Sequence, residues 1–161
     1  MDNNPSPGNK SGGITTILEK SLGAVAKSGT AALKAVYQFA EPITARGLSF
    51  MDTPGYDPVS VTGLVAGGCT LIAFTTGRGS AIGTRPAPTI KIATNSDMYR
   101  RMKDDMDIDS GDIVDQGVPI EEKGLEIYHE ILDVASGKKT RSEILGYGEN
   151  EFVPWHLGAV T

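Results

Sequence analysis

Residues 47–83 constrain the fold of this chain more than any other stretch. They contain two short apolar runs, at residues 48–51 and 70–74, and each run is followed at once by polar residues with glycine or proline. Brief continuous apolar runs with such flanks are typical of buried strands in a parallel sheet. The segment between them, residues 59–68, is rich in small residues and fits a short helix. The stretch therefore predicts a strand, a helix and a second strand with parallel pairing.

The remaining pattern adds one strand and three helices. Residues 89–93 form a third strand candidate after a loop punctuated by prolines. Apolar residues at helical spacing predict helices over residues 14–25, 30–41 and 120–135. The predicted class is therefore α/β, with a partial parallel sheet of about three strands and flanking helices. Such a small sheet exposes two edges, which strands from a missing N-terminal part or from partners would have to cover.

Length and composition limit the domain organisation and the partners. A chain of 161 residues, with 39% hydrophobic and 22% charged residues, fits one globular domain. Residues 1–13 are polar and read as a loop or linker remnant, which leaves residues 14–161 as the folded part. The formal net charge of −5 and the absence of a basic run argue against nucleic-acid binding. The longest mostly apolar run, residues 64–74, is too short to span a membrane, so a cytoplasmic location is expected.

Two features that could suggest reactive chemistry have simpler interpretations. Cys69 is the only cysteine and follows two glycines, so we expect a small buried hydrophobe rather than a nucleophile. Residues 104–115 are rich in aspartate, but their glycine falls one place late for a calcium loop. Gln116 also occupies the position of the bidentate glutamate, so we expect a solvated acidic loop there.

The best candidate site lies where the first two predicted strands end. Ligands of open parallel sheets bind beyond the carboxyl ends of the strands. Gly77 and Gly79 would permit a backbone nest, whose N–H groups could hold an oxyanion together with neighbouring hydroxyls. The candidate substrate-binding residues are Thr75, Thr76, Gly77, Arg78, Gly79 and Ser80. Arg78 offers the forked donor suited to a carboxylate, and the alternative is a tight structural loop with Arg78 on the surface.

Carboxylates supply the other half of this candidate site. Asp52 follows the first strand directly, and it could ligate a hard cation or take a proton. Both Asp52 and Asp57 could instead stabilise a turn, and we favour function for Asp52 and a turn for Asp57. Glu19 and Lys20 could form an exposed ion pair, or turn inward as a metal ligand and a base.

A nucleotide site is a weaker alternative. Residues 77–83 have the spacing G-x-G-x-x-x-G, which is one residue longer than the dinucleotide fingerprint. Pro86 and Pro88 also prevent the long helix that should follow the glycines. A nucleotide-binding regulator would be stabilised against heat by a nucleotide and not by sugar acids.

Several motifs occur in an order that resembles the altronate/galactarate dehydratase family, C-terminal part. They are residues 12–16 with 19–23, then 50–58, 74–80, 91–95 and 149–155, and the forms FMDTPGYDP and FVPW look most like the altronate branch. The resemblance covers nearly the whole chain. One departure is Asp109-Ser110-Gly111, at a place where the family would be expected to have Asn-Cys-Gly.

The resemblance implies a hydro-lyase that converts altronate to 2-keto-3-deoxygluconate, with iron(II) as the usual metal. It also implies that the chain is a fragment of a variant Rossmann-like domain and acts with the N-terminal portion of the same enzyme. Galactarate dehydration and the large subunit of sulfolactate sulfo-lyase remain alternatives, as does a non-catalytic truncated module. A homodimer is a further assembly left open.

The residue types and the resemblance together suggest roles for the candidate residues. Asp52 or Glu19 would ligate the metal, and Asp52 and Lys20 would be the catalytic residues, with Lys20 as base or carboxylate clamp. The loop from Thr75 to Ser80 would hold the sugar acid. Dehydration needs a base for the proton beside the carboxylate, stabilisation of the enediolate and help for the departing hydroxide.

Overall fold

The computed structural model describes residues 4–155 and has the predicted α/β architecture. In that part of the chain, five short strands form two parallel sheets. The strands are β1 (Ala35–Tyr37), β2 (Ser49–Met51), β3 (Ile72–Thr76), β4 (Thr89–Ala93) and β5 (Ile108–Asp109). One sheet pairs β1 with β2, and the other has the order β3-β4-β5.

Seven helices connect and flank these strands within residues 4–155. They are α1 (Pro7–Ser11), α2 (Ile17–Ala26), α3 (Asp57–Ala66), α4 (Ser96–Arg101), α5 (Asp112–Asp115), α6 (Ile120–Ala135) and α7 (Arg141–Leu145). Helix α1 forms inside the segment that was expected to be a loop, where the Asn9 side chain accepts the Ser6 N–H and closes a capping box. None of these helices is long and apolar enough to cross a membrane.

The helix predicted over residues 30–41 is wrong, because part of that segment is strand β1. Val36 and Tyr37 are residue types that suit a strand, and pairing with β2 decides between the two structures. Ala35 pairs with Ser49 and Tyr37 with Met51. After the strand, Ala40 adopts a positive φ of 61°, which ends any regular structure.

The prediction that the first two strands share one sheet is also wrong. Strand β2 pairs with β1, whereas β3 pairs with β4, with Ile72 opposite Thr89 and Thr76 opposite Ala93. The neighbour on the other side of β4 is β5, a strand of two residues that the sequence pattern did not predict. The carboxyl ends of β2 and β3 therefore do not lie side by side in one sheet.

Strand β4 is the centre of the three-stranded sheet, and all five of its residues are buried. Ile90 and Ile92 pack with Ile108 of β5 and with Val134 of α6. Helix α6 has the predicted bounds and also contributes Ile127 and Ile131 to this cluster. Each fully buried aliphatic side chain of this kind contributes roughly 1.5–3 kcal/mol.

A second cluster joins helix α3 to strand β3 through Val61, Ile72, Ile82 and Ala87. Cys69 is half-buried against it, and burial raises the pKa of its thiol. A thiol that is harder to ionise is a poorer nucleophile. This packing agrees with the expectation that Cys69 serves as a small hydrophobe.

The acidic segment is structural rather than a solvated loop. The Asp107 carboxylate accepts the backbone N–H of Lys91 at 2.7 Å and that of Arg141 at 2.8 Å. The Asp109 carboxylate accepts the Ser96 hydroxyl at 3.1 Å and the Gly111 N–H at 2.9 Å. These bonds tie β5 to its neighbours, so the expectation of a solvated loop is wrong.

The buried ammonium of Lys123 in α6 is neutralised by two carboxylates. Its ammonium lies 2.8 Å from Asp112 and 2.5 Å from Glu126. Burial alone would lower the pKa of Lys123, but the hydrogen bonds to these two carboxylates outweigh burial and raise it. The pair fixes the start of α6 against α5.

Candidate functional site

An open cleft of about 940 Å³ lies at the carboxyl end of strand β3. Residues 74–79 form one wall, and Thr94, which follows β4, lies beside them. The rest of the lining comes from the N-terminal helices with their flanking residues and from α3. These residues are Ser6, Gly8, Asn9, Lys20, Lys27 and Asp57. The cleft thus occupies the position in which open parallel sheets bind ligands.

Thr76 organises the turn that leaves β3. Its hydroxyl accepts the backbone N–H of Arg78 at 3.3 Å and that of Gly79 at 3.1 Å. Both N–H groups are therefore committed within the turn, and the expected nest does not present them to a ligand. Asn95 closes the other side by donating to the Gly77 carbonyl at 2.9 Å. The turn works as a rigid support rather than as an oxyanion hole.

Gly79 is required by both conformation and space. Its φ is +89°, which disfavours any L side chain. A Cβ at this position would lie 1.9 Å from the Met102 sulfur. The loop can therefore approach α4 closely only because residue 79 is glycine.

Arg78 and Thr75 are the uncommitted polar side chains of this wall. Both are exposed, and within residues 4–155 neither the guanidinium nor the Thr75 hydroxyl has a hydrogen-bond or ion-pair partner. Arg78 therefore presents its planar donors to the cleft at no cost in broken protein contacts. Such donors match a carboxylate in a bidentate arrangement.

Lys20 and Lys27 add two further cations on the helix side. They stand two helical turns apart, so α2 places both on one side. The Lys20 ammonium donates to the Asn4 side-chain oxygen at 2.9 Å, which holds it at the cleft. With Arg78, the described lining has three cations and one carboxylate, and this balance favours an anionic ligand.

That carboxylate is Asp57 and not the predicted Asp52. Asp57 begins helix α3 and lines the cleft. Asp52 is exposed just after β2, where its N–H donates to the Tyr37 carbonyl at 2.9 Å, and it does not line the cleft. The difference follows from the pairing of β2 with β1 rather than with β3.

Glu19 and Ser80 also lie outside the cleft lining. The Glu19 carboxylate accepts the backbone N–H of Thr15 at 2.9 Å and its hydroxyl at 3.0 Å, and these bonds lower the pKa of Glu19. This contact stabilises the start of α2. The Ser80 hydroxyl accepts the Ile82 N–H at 3.1 Å within its own loop.

The described residues do not fit a metal centre by themselves. No three histidine, cysteine, aspartate or glutamate side chains of residues 4–155 come together in a group that could hold an ion. Glu19 is engaged with Thr15, and Asp52 stands apart from the cleft. Iron(II) therefore stays a prediction that this donor set alone does not support.

Three lining residues could have been found from the sequence. Lys27 lies seven residues after Lys20, a spacing that puts both on one helical face. Thr94 follows the third predicted strand as Thr75 follows the second, so the same edge rule applies to it. Asp57 lies between a predicted strand and the helix predicted over residues 59–68, and this position at a strand–helix junction is a signal for the cleft that the turn interpretation overlooks.

Residues 109–111 form a tight turn, and nothing in the structure explains the serine at position 110. A Cβ on Gly111 would lie 2.1 Å from the Ser96 backbone nitrogen, so this turn packs tightly on α4. Asp109 holds the turn through Ser96 and Gly111. The Ser110 hydroxyl is buried and has no hydrogen-bond partner among the described residues.

Together these features define an α/β module with a cationic ligand cleft at the carboxyl end of parallel strands. By sequence, the chain belongs to the D-galactarate/altronate dehydratase family, and the model of the family's C-terminal part matches residues 1–160.

Relatives of known activity support this assignment. Galactarate dehydratase (L-threo-forming) of Escherichia coli K12 is 48% identical over 84% of the chain, and altronate dehydratase of Bacillus subtilis 168 is 37% identical over 92%. The beta subunit of (2R)-sulfolactate sulfo-lyase from Chromohalobacter salexigens is 34% identical over 92%. The matched regions make up 26%, 29% and 38% of those proteins, so the chain spans only a minor part of each relative.

Proposed function

We propose that this chain is the C-terminal part of an enzyme that removes water from a sugar acid, and that the cleft binds the carboxylate of that acid. The observation that carries the proposal is the meeting of Arg78, Lys20 and Lys27 at one cleft, where Asp57 is the single carboxylate of the described lining. A polyhydroxylated acid needs cations for its carboxylate and polar groups for its hydroxyls, and Thr75 and Thr94 supply the latter.

The proposed chemistry assigns one task to each side of the cleft. Arg78 and the two lysines hold the carboxylate and stabilise the negative charge that develops on it when the neighbouring carbon loses its proton. Lys20 acts as a carboxylate clamp, since it is exposed and already donates to Asn4. Asp57 is placed to accept the proton, and hydroxide leaves from the next carbon. Asp52 is not assigned a role in this step.

In this proposal, the iron(II) site depends on residues outside 4–155. Iron(II) would need ligands from parts of the protein outside residues 4–155, because these residues hold no suitable group of donors. The N-terminal portion of the enzyme is therefore a required partner in this account. No step of the proton transfer described above is assigned to the metal.

Two sugar acids, altronate and galactarate, are the candidate substrates. The motif at residues 50–58 favours altronate, with 2-keto-3-deoxygluconate as product. The 48% identity to a galactarate dehydratase favours galactarate as the second candidate. Sulfolactate shares the carboxylate but lacks the row of hydroxyls, so it serves as the discriminating third compound.

A complementation assay tests the proposal. The chain is co-expressed with the remainder of the Escherichia coli galactarate dehydratase, meaning everything in that protein that this chain does not match. Product formation from altronate, galactarate and sulfolactate is measured with iron(II), with each polypeptide alone as the control. We expect dehydration of a sugar acid by the pair and none by either part.

Two results would count against the proposal. Absence of sugar-acid dehydration in a correctly assembled pair would favour the alternative of a non-catalytic module. Thermal stabilisation of the chain by nucleotides, without any effect of sugar acids, would favour a nucleotide-binding regulator.

A further inference from the structure

The two-stranded sheet of β1 and β2 has an unusual surface. Each of its strands has one neighbour among residues 4–155, so each keeps one lateral edge without a β partner. Two-stranded sheets are marginally stable at best on their own. Parallel sheets, moreover, are normally covered on both faces.

The two faces of this sheet differ sharply in exposure. Tyr37 and Met51 are register partners on the inner face and are buried. The inner face packs towards the end of helix α3, where a Cβ on Gly67 would come within 2.5 Å of the Met51 methyl group. The outer face is therefore the one whose apolar side chains stay exposed among residues 4–155.

Val36 and Phe50 are the register partners on that outer face, and they are 64% and 57% exposed. Leu48 lies two residues before Phe50, directly before β2, and is exposed as well. We call the set Val36, Leu48 and Phe50 the outer patch. Adjacent apolar residues on a strand pair favour burial against a partner, because an exposed contiguous patch is unfavourable in water.

We propose that the rest of the full-length protein covers the outer patch and extends the β1–β2 sheet with at least one further strand. This inference rests on the proposed function, since it names the remainder of that enzyme as the occupant. The lengths of the relatives support the choice, because 62–74% of each relative lies outside the match with this chain.

A second copy of the chain fits the surface less well. A two-fold axis would pair one edge strand with its own copy in the antiparallel direction. The β1–β2 pairing is parallel, and a strand from elsewhere in a longer chain can continue it through a crossover. Self-association through the outer patch is therefore an outcome that would overturn the proposal.

Co-purification measures this contact without relying on activity. The tagged chain is co-expressed with the remainder of the Escherichia coli galactarate dehydratase, and the amount of captured partner is quantified. The test variant combines Val36→Lys and Phe50→Lys. The matched control combines Val114→Lys and Ile120→Lys, since these residues are 84% and 70% exposed and lie on α5 and α6.

The test variant should capture at least about tenfold less partner than the unmodified chain, because two ammonium groups would have to be buried at the contact. The control pair should capture an unchanged amount. Circular dichroism and thermal melting of each variant alone should match the unmodified chain, because all four positions are exposed.

Other results overturn the inference. They are equal capture by the test variant, equal loss in both pairs, no capture by the unmodified chain, or a dimer of the chain alone that the test variant dissociates. If the pair assembles through the outer patch but dehydrates no sugar acid, the proposed function is wrong and the proposed contact surface is retained. If the pair dehydrates a sugar acid and the test variant still assembles, the proposed contact surface is wrong and the proposed function is retained.

Discussion

The two sheets of this molecule use similar short parallel strands but differ in what surrounds them. Strand β4 lies between β3 and β5 and is buried along its whole length, with α6 packed against it. The β1–β2 sheet has one buried face, while Val36 and Phe50 face outward. Helix α2, next to the small sheet in sequence, exposes its apolar residues too, namely Ile17, Leu18, Leu22 and Val25.

This difference separates a part of the chain that buries its own apolar residues from a part that leaves them exposed among residues 4–155. The three-stranded sheet owes its burial to residues that the chain itself supplies. The predicted amphipathic helix forms as α2, but none of its residues is buried among residues 4–155. The cleft lies between the two parts, since residues 74–79 come from one and Lys20 and Lys27 from the other.

The largest expected effect contrasts one core residue with one outer-patch residue. Ile90→Ala should lower the free energy of unfolding of the 161-residue chain by roughly 2–5 kcal/mol, because it leaves a cavity in a fully buried strand. Phe50→Ala should change it by no more than about 0.5 kcal/mol, since the side chain is exposed. Chemical denaturation measures both values, and similar losses for the two variants would break the comparison.

A smaller effect concerns Lys91, which lies fully buried in β4 and donates to the Ser142 hydroxyl at 2.6 Å. Burial lowers the pKa of Lys91, although Asp107 and Asp105 act in the opposite direction. Between the folded and unfolded pKa values, the unfolded chain binds more protons. Stability should therefore rise with pH through that window, and the penalty is fully present below the folded pKa.

Lys91→Met tests this sign. The Ser142 hydroxyl keeps its bond to the Ile82 carbonyl at 2.9 Å, so the variant mainly removes the buried charge. The variant should melt at a higher temperature than the unmodified chain, and this difference should be largest near neutral pH. The difference should shrink as the pH rises towards the pKa of free lysine. Lys103→Met, at an exposed position, is the control. A difference that stays constant with pH would contradict the account.

Elements with strong local punctuation were predictable from the sequence. Strand β4 has the predicted bounds because prolines precede a run of apolar and β-branched residues. Helix α6 has the predicted bounds because Pro119 precedes it and Gly137 follows it closely. Strand β1 was not predictable in this way, because a three-residue strand is decided by its partner rather than by its own spacing.

The candidate site was predictable as far as the rule about strand ends reaches. That rule selected residues 75–80, of which residues 75–79 line the cleft and Ser80 does not. Lys20, predicted on other grounds, lines the cleft as well. The rule misplaced Asp52, because it assumed that β2 and β3 share a sheet. Pairing between strands that are distant in sequence cannot be predicted from local residue patterns. Asp57 occupies the cleft instead, since α3 returns from β2 towards β3.

The most direct test of the central claim is the steady-state kinetics of Arg78→Ala in the co-expressed enzyme pair. We expect a raised KM and a lowered kcat, with kcat/KM reduced at least about tenfold, which corresponds to ~1.4 kcal/mol of transition-state stabilisation. Arg85→Ala is the matched control, because Arg85 pairs with Glu149 and does not line the cleft. Unchanged kinetics for Arg78→Ala, or equal losses for the two variants, would contradict the assignment of this cleft to the substrate.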